Sequence, residues 1–149
     1  MNIKTPYFKI AFSGIMIALF VIVQGLTRMA SFLYALVYLY PFLALPLAFA
    51  SVLSTALTGG FGIFDMVGGF FVGLLTGGSI LLIRIFRWNE WLISMPIFLF
   101  AGFLTPVWIS FLTNVSYELL APWTLVIQIV PAIFGVIFLK RLKKVLPKV

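Results

Sequence analysis

Only three side chains in this sequence can act as carboxylates: Asp65, Glu90 and Glu118. None can act as a thiolate or an imidazole, because Cys and His are both absent. That removes disulfides, the usual zinc sites, haem ligation by His and a Ser-His-Asp triad. An intramembrane hydrolase lacks its usual general bases here. What remains is recognition chemistry. Arg28 with Asp65 and Glu118 is the obvious charged set. Gln24 lies one turn before Arg28 in an apolar run, and Asn114, Ser116 and Tyr117 adjoin Glu118. Each has a plainer alternative: Asp65 as a helix cap and dipole partner, Glu118 as a solvated loop residue, Arg28 as a ligand for lipid phosphate.

Aromatic residues supply flat surfaces. Tyr34 and Tyr38 fall four apart and share one face if that stretch is an α-helix. Trp108, Tyr117 and Trp123 are belt residues or rings that stack on a planar heterocycle. Trp88 and Trp91 flank Glu90 and read as an interfacial belt. Small residues form a third set. Ala11, Gly14 and Ala18 lie along the first apolar run, and Gly69, Gly73 and Gly77 repeat at intervals of four. Such spacing lets helices approach closely, either within the chain or against a partner subunit.

The elements that must carry these groups are membrane helices. Hydrophobic residues make up 64% of the 149 and charged residues 9%, against roughly 25% charged in soluble domains. Apolar patches on a soluble fold of this composition would far exceed what a monomer tolerates. The fold expected is an all-α polytopic membrane protein, one transmembrane domain over 1–149, multi-pass in the cell membrane. Helices are predicted over 9–27, 63–85, 91–111 and 122–139, the third bent at Pro96 and Pro106 and the last containing Pro131. The segment 31–58 is apolar almost throughout but broken by Pro41 and Pro46. Turns are marked by GGFG at 59–62, RIFRWNE at 84–90 and the polar stretch 112–120.

Charge parity decides how 31–58 divides. Lys4 and Lys9 precede the first helix, and Lys140, Arg141, Lys143, Lys144 and Lys148 follow the last. With both ends cytoplasmic the number of spans is even. Two short spans at 31–41 and 43–58 give six. Arg84 and Arg87 then also fall inside, and Arg28 alone lies outside. Eleven residues of α-helix cannot cross ~30 Å, so the short spans must be broken or shielded by protein. Gln24, Arg28, Asp65, Trp108, Asn114, Tyr117 and Glu118 then sit near the outer face, where they could line an outward pocket. No GxxxxGK[ST] loop is present, so ATP-driven transport would need another subunit.

The stretch GGFGIFDMVGGFFVGLLTG at 59–77 resembles queuosine-precursor transporters of the QueT family, with Gly59, Gly60, Gly62, Asp65 and Gly69 on the pattern GG-x-G-x-x-D-x-x-x-G. The run KIAFSGIMIAL resembles the first helix of substrate-binding subunits of energy-coupling factor (ECF) transporters. The resemblance implies a subunit that binds a vitamin-like small molecule or queuosine precursor near the outer face, without a cofactor. It implies docking, through Ala11, Gly14 and Ala18, on a membrane coupling subunit that joins two ATPases. It also implies toppling of the subunit in the membrane to carry its cargo inward. The chain departs from the family pattern after helix one, where an Arg-x-x-Glu-Ala-Leu is replaced by an apolar stretch retaining only Tyr34-Ala35-Leu36. The competing classes are a structural or assembly membrane protein, with no pocket, and a small self-contained channel or carrier, with a polar path across the membrane.

Overall fold

A computed structural model describes residues 5–146. Lys4 and Lys148, two of the predicted cytoplasmic flank residues, lie outside them. Helix α1 spans Pro6–Thr27. Pro6 is pre-set for a first helical position, where no N–H is needed. The helix stops where Arg28 turns left-handed, at φ 55°, and its N–H bonds Gln24 O. Its 22 residues span roughly 33 Å.

The return segment is not α-helical. Ala30–Tyr38 is a 3-10 helix, which rises ~2.0 Å per residue against 1.5 Å for an α-helix. Nine residues therefore cover roughly 18 Å. Leu33, Tyr34, Ala35, Leu36 and Val37 are all buried, as expected for a helix that is apolar all round. The segment packs against α1, α3 (Ile63–Ile85) and α6 (Tyr117–Val145). The 3-10 winding also corrects the expectation for Tyr34 and Tyr38. At three residues per turn, positions four apart diverge by about 120°, and the two rings point to different neighbours.

A short turn, Pro41–Leu43, leads into α2, Ala44–Leu57. Pro46 falls in the first turn of α2, where backbone N–H groups have no intrahelical partner. The next turn needs its glycines: Gly59 has φ 75° and Gly62 φ 92°, a region that disfavours side chains. Helix α3 spans Ile63–Ile85.

The following long element, Glu90–Thr113, changes pitch along its length. A 3-10 turn at Glu90–Ile93 gives way to α4 (Ser94–Leu99), a π turn (Phe100–Leu104) and α5 (Thr105–Thr113). Pro106 explains the π turn. It has no N–H to give to the carbonyl four residues back, Gly102 O, and the Thr124 hydroxyl donates to that oxygen at 2.8 Å instead. A freed carbonyl met by a neighbouring helix is how proline is tolerated in such elements. Gly102 lets α6 come this close, since a Cβ there would lie 2.6 Å from Leu125 Cδ2.

Helix α6 spans Tyr117–Val145, longer at both ends than expected. Glu118 in its first turn and Lys143 and Lys144 in its last suit the helix dipole. The polar loop before it shrinks to 114–116. Among the described residues four elements are long and apolar enough to cross a membrane: Pro6–Thr27, Ile63–Ile85, Glu90–Thr113 and Tyr117–Val145. The protein is all-α across these residues.

Candidate functional site

At the end of the bundle where α1 stops and α3 begins lies a cavity of about 290 Å³. Each wall is a helical stripe. Phe20 and Gln24 come from α1 and Arg28 from its cap. Ser51, Ser54 and Thr55 come from α2 and Thr58 from its cap. Asp65, Gly69, Val72, Gly73 and Thr76 come from α3. Thr105 and Trp108 face them from α5, and Ser31, Tyr34 and Gln128 close the far side. From Asp65 to Thr76 the α3 wall descends roughly 16 Å, to near the middle of that helix.

Glycines make room for this arrangement. A Cβ on Gly73 would lie 2.3 Å from Tyr34 Oη and 2.9 Å from Ala48 Cα, and one on Gly77 would lie 3.3 Å from Ala44 Cβ. The Gly69, Gly73 and Gly77 stripe is therefore the seam between α3 and α2. Across it the Ser51 hydroxyl bonds both Ala48 O (2.7 Å) and Gly69 O (2.9 Å). The Tyr34 hydroxyl donates to Leu47 O at 3.1 Å, with Phe20 edge-on to its ring.

Both oxygens of the single carboxylate in the lining accept a hydrogen bond from protein. Asp65 Oδ1 accepts from Trp108 Nε1 at 2.9 Å, and Oδ2 accepts from the Phe61 N–H at 3.2 Å. The indole of Trp108 lies on the backbone of Gly68, where a Cβ would come within 2.5 Å of the ring. Asp65 thus ties the 59–62 turn to α5. Gln24 Oε1 accepts from the Ala30 N–H at 3.1 Å, which orients its amide nitrogen as a free donor. The Ser31 hydroxyl meets Gln128 Oε1 at 2.8 Å.

Of the residues singled out in the sequence, the cavity brings together Gln24, Arg28, Tyr34, Asp65 and Trp108. It does not include Tyr38, Asn114, Tyr117 or Glu118. Tyr38 faces the opposite end, with Lys143 Nζ 4.9 Å from its ring centre. Asn114 is an exposed left-handed cap at φ 55°. Tyr117 donates to Phe103 O at 3.2 Å, and Glu118 is exposed in the first turn of α6. Arg28, Asp65 and Glu118 do not converge. Arg28 and Asp65 share the cavity without pairing, and among the described residues the one ion pair is Lys143 with Glu90.

The hydroxyl stripe was missed. Ser51, Ser54, Thr55 and Thr58 recur at helical spacing in SVLSTALT, and that pattern could have found it. Thr55 bonds Ser51 O at 2.9 Å and Thr58 bonds Ser54 O at 2.8 Å. Ser54 differs: it is 1% exposed, and its hydroxyl has no protein partner.

The basic residues gather at the other end. Arg84 Nη1 donates to Leu39 O at 3.1 Å, and Lys140 lies 4.2 Å from the Trp91 ring centre. On α1, Ala11, Gly14 and Ala18 are exposed, and a Cβ on Gly14 would meet nothing within 4 Å.

The protein is thus a bundle of apolar helices with a polar cavity at one end. The sequence pattern of the family described as "QueT transporter" matches residues 9–144, and the chain belongs to that family. No curated protein and no solved structure matches it. Membership makes the chain a substrate-binding membrane component of an ECF-type transporter, multi-pass in the membrane and not an enzyme. Such transporters also contain coupling and ATPase subunits.

Proposed function

We propose that the chain captures a planar, vitamin-like heterocycle, such as a queuosine precursor, from the outer side of the membrane and holds it in the cavity. The observation that carries this reading is the cavity's position and lining. It lies at the end opposite Arg84, Arg87, Lys140 and Lys143, and positive residues favour the cytoplasmic side. Six passages then cross the bilayer as one domain: α1, Ala30–Tyr38, α2, α3, Glu90–Thr113 and α6, with both ends inside. The burial of Ala30–Tyr38 supports this, because a short passage shielded by protein need not meet lipid.

In this reading Gln24, Arg28, Tyr34, Asp65 and Trp108 form the binding set, while Tyr38, Asn114, Tyr117 and Glu118 stand outside it. Trp108 offers a ring to a flat solute, and Asp65 holds that ring in place. The exposed Ala11, Gly14 and Ala18 face of α1 docks on the coupling subunit, and two ATPases supply the energy.

Mass spectrometry of molecules released from protein purified in mild detergent tests the reading. Thermal-shift measurements with nucleobases, their 7-deaza analogues and B vitamins complete it. A released heterocycle, or a ligand-induced rise in melting temperature, is expected. Absence of both would refute it. The Cys-free sequence also permits a clean topology test. In intact cells an impermeant maleimide should label V115C and spare W88C.

A further inference from the structure

Four hydroxyl residues of α2 and its cap line the cavity, and three are engaged by backbone carbonyls. Ser51 bonds Ala48 O and Gly69 O, Thr55 bonds Ser51 O, and Thr58 bonds Ser54 O. That is the ordinary behaviour of Ser and Thr in apolar helices. Ser54 departs from it. It lines the cavity, is 1% exposed, and its oxygen has no protein partner. A buried hydroxyl left unpaired is unfavourable and calls for an explanation in function.

We propose that Ser54 reads the solute directly, its hydroxyl bonding a polar edge of the bound molecule deep in the cavity. The proposal rests on the cavity being the solute site, as argued above. Gln24 stands roughly one turn nearer the opening, since a Cβ on the adjacent Gly25 would lie 3.7 Å from Thr58 Cγ2 and Ser54 is one turn below Thr58. With its oxygen engaged by the Ala30 N–H, Gln24 has only N–H donors to offer. The Asp65 oxygens are both taken by Trp108 and Phe61. Gln24 thus offers the solute a donor, and the unpaired Ser54 hydroxyl can supply a second deeper in the cavity. The class that fits is a heterocycle presenting an acceptor edge, a ring nitrogen or carbonyl, toward Ser54.

The test compares the wild type, S54A and S51A. Affinity is measured by equilibrium dialysis for the tightest binder among guanine, hypoxanthine, 7-deazaguanine and the B vitamins. Melting temperature is measured without ligand. S54A should bind about tenfold more weakly, the scale of one buried hydrogen bond left unmade, with an unliganded melting temperature at or above that of the wild type. S51A removes bonds the folded chain uses itself, so its melting temperature should fall. Wild-type affinity in S54A overturns the proposal alone. So does a melting loss in S54A as large as that in S51A, which makes the hydroxyl a structural group. A wild type that binds nothing in the set, and releases no ligand on purification, overturns the solute-site reading and this proposal with it.

Discussion

Replacing Gly73 by Ala adds one methyl group at the tightest point of the α2–α3 seam. The new carbon would lie 2.3 Å from Tyr34 Oη and 2.9 Å from Ala48 Cα. Neither obstacle can swing aside freely. The Tyr34 hydroxyl is tied to Leu47 O, and Ala48 presents backbone. Overpacking of this kind costs about 1–3 kcal/mol, and displacing the Tyr34 hydrogen bond adds roughly 1 kcal/mol. Against this, Ala gains up to about 1 kcal/mol over Gly in helix propensity. The net expectation is a loss of about 1–3 kcal/mol. Gly78→Ala isolates the propensity term on the same helix, because a Cβ there meets nothing within 4 Å. Both variants should be unfolded in mild detergent by heat or by titrated denaturing detergent, with tryptophan fluorescence as the readout. G73A should melt clearly below the wild type and G78A at or above it. A G73A protein as stable as G78A would refute the close approach of the two helices.

The Asp65–Trp108 bond makes a second prediction. Asp65→Ala and Trp108→Phe should each destabilise the protein by about 1–2 kcal/mol, and a double-mutant cycle should return a coupling near 1 kcal/mol. Zero coupling would show that the carboxylate does not hold the indole. Asp65→Asn should be milder than Asp65→Ala, because its amide oxygen can still accept one of the two N–H groups. On α1, Gly14→Leu with Ala18→Leu should leave stability within about 0.5 kcal/mol of wild type yet abolish co-purification with the coupling subunit. Retained assembly, or a collapse in stability, would remove that face as the docking site.

Gly14 and Gly73 show what pattern alone can and cannot tell. In sequence both head a small-xxx-small pair, and nothing separates them. In space Gly73 is wedged against α2, while Gly14 faces open space. Spacing gives the existence of a smooth stripe, but its partner depends on how helices are rotated. The same limit acts on charge. Parity places Arg28, Asp65 and Glu118 at one depth, yet depth carries no azimuth, and Glu118 points away from the cavity that Arg28 and Asp65 line. The long helices, the glycine turn at 59–62 and the break at Pro41 were legible because each has a local cause. The 3-10 winding of Ala30–Tyr38 was not. Its residues are apolar on every side, so no periodicity distinguishes one pitch from another, and the expected pairing of Tyr34 with Tyr38 failed with it. Nor does sequence separate Ser54 from Thr55, since a hydroxyl's partner is decided by its rotamer.

The lining also explains how a polar cavity can exist in so apolar a chain. An ion held in a low-dielectric interior without partners is prohibitively unfavourable, and this protein avoids the problem by construction. Below Asp65 the lining contains no charged side chain; it is polar through hydroxyls and two amides. Most of those hydroxyls have given their protons to backbone carbonyls, so their remaining lone pairs need little solvation. Asp65 itself, near the rim, is held by two N–H donors. Below the rim the groups that keep free donors, Gln24, Gln128 and Ser54, are few and neutral. A cavity of this kind can present a solute with hydrogen bonds and still be carried within a bilayer, because moving it exposes no buried charge. That property suits a component that binds its cargo and leaves the supply of energy to its partners.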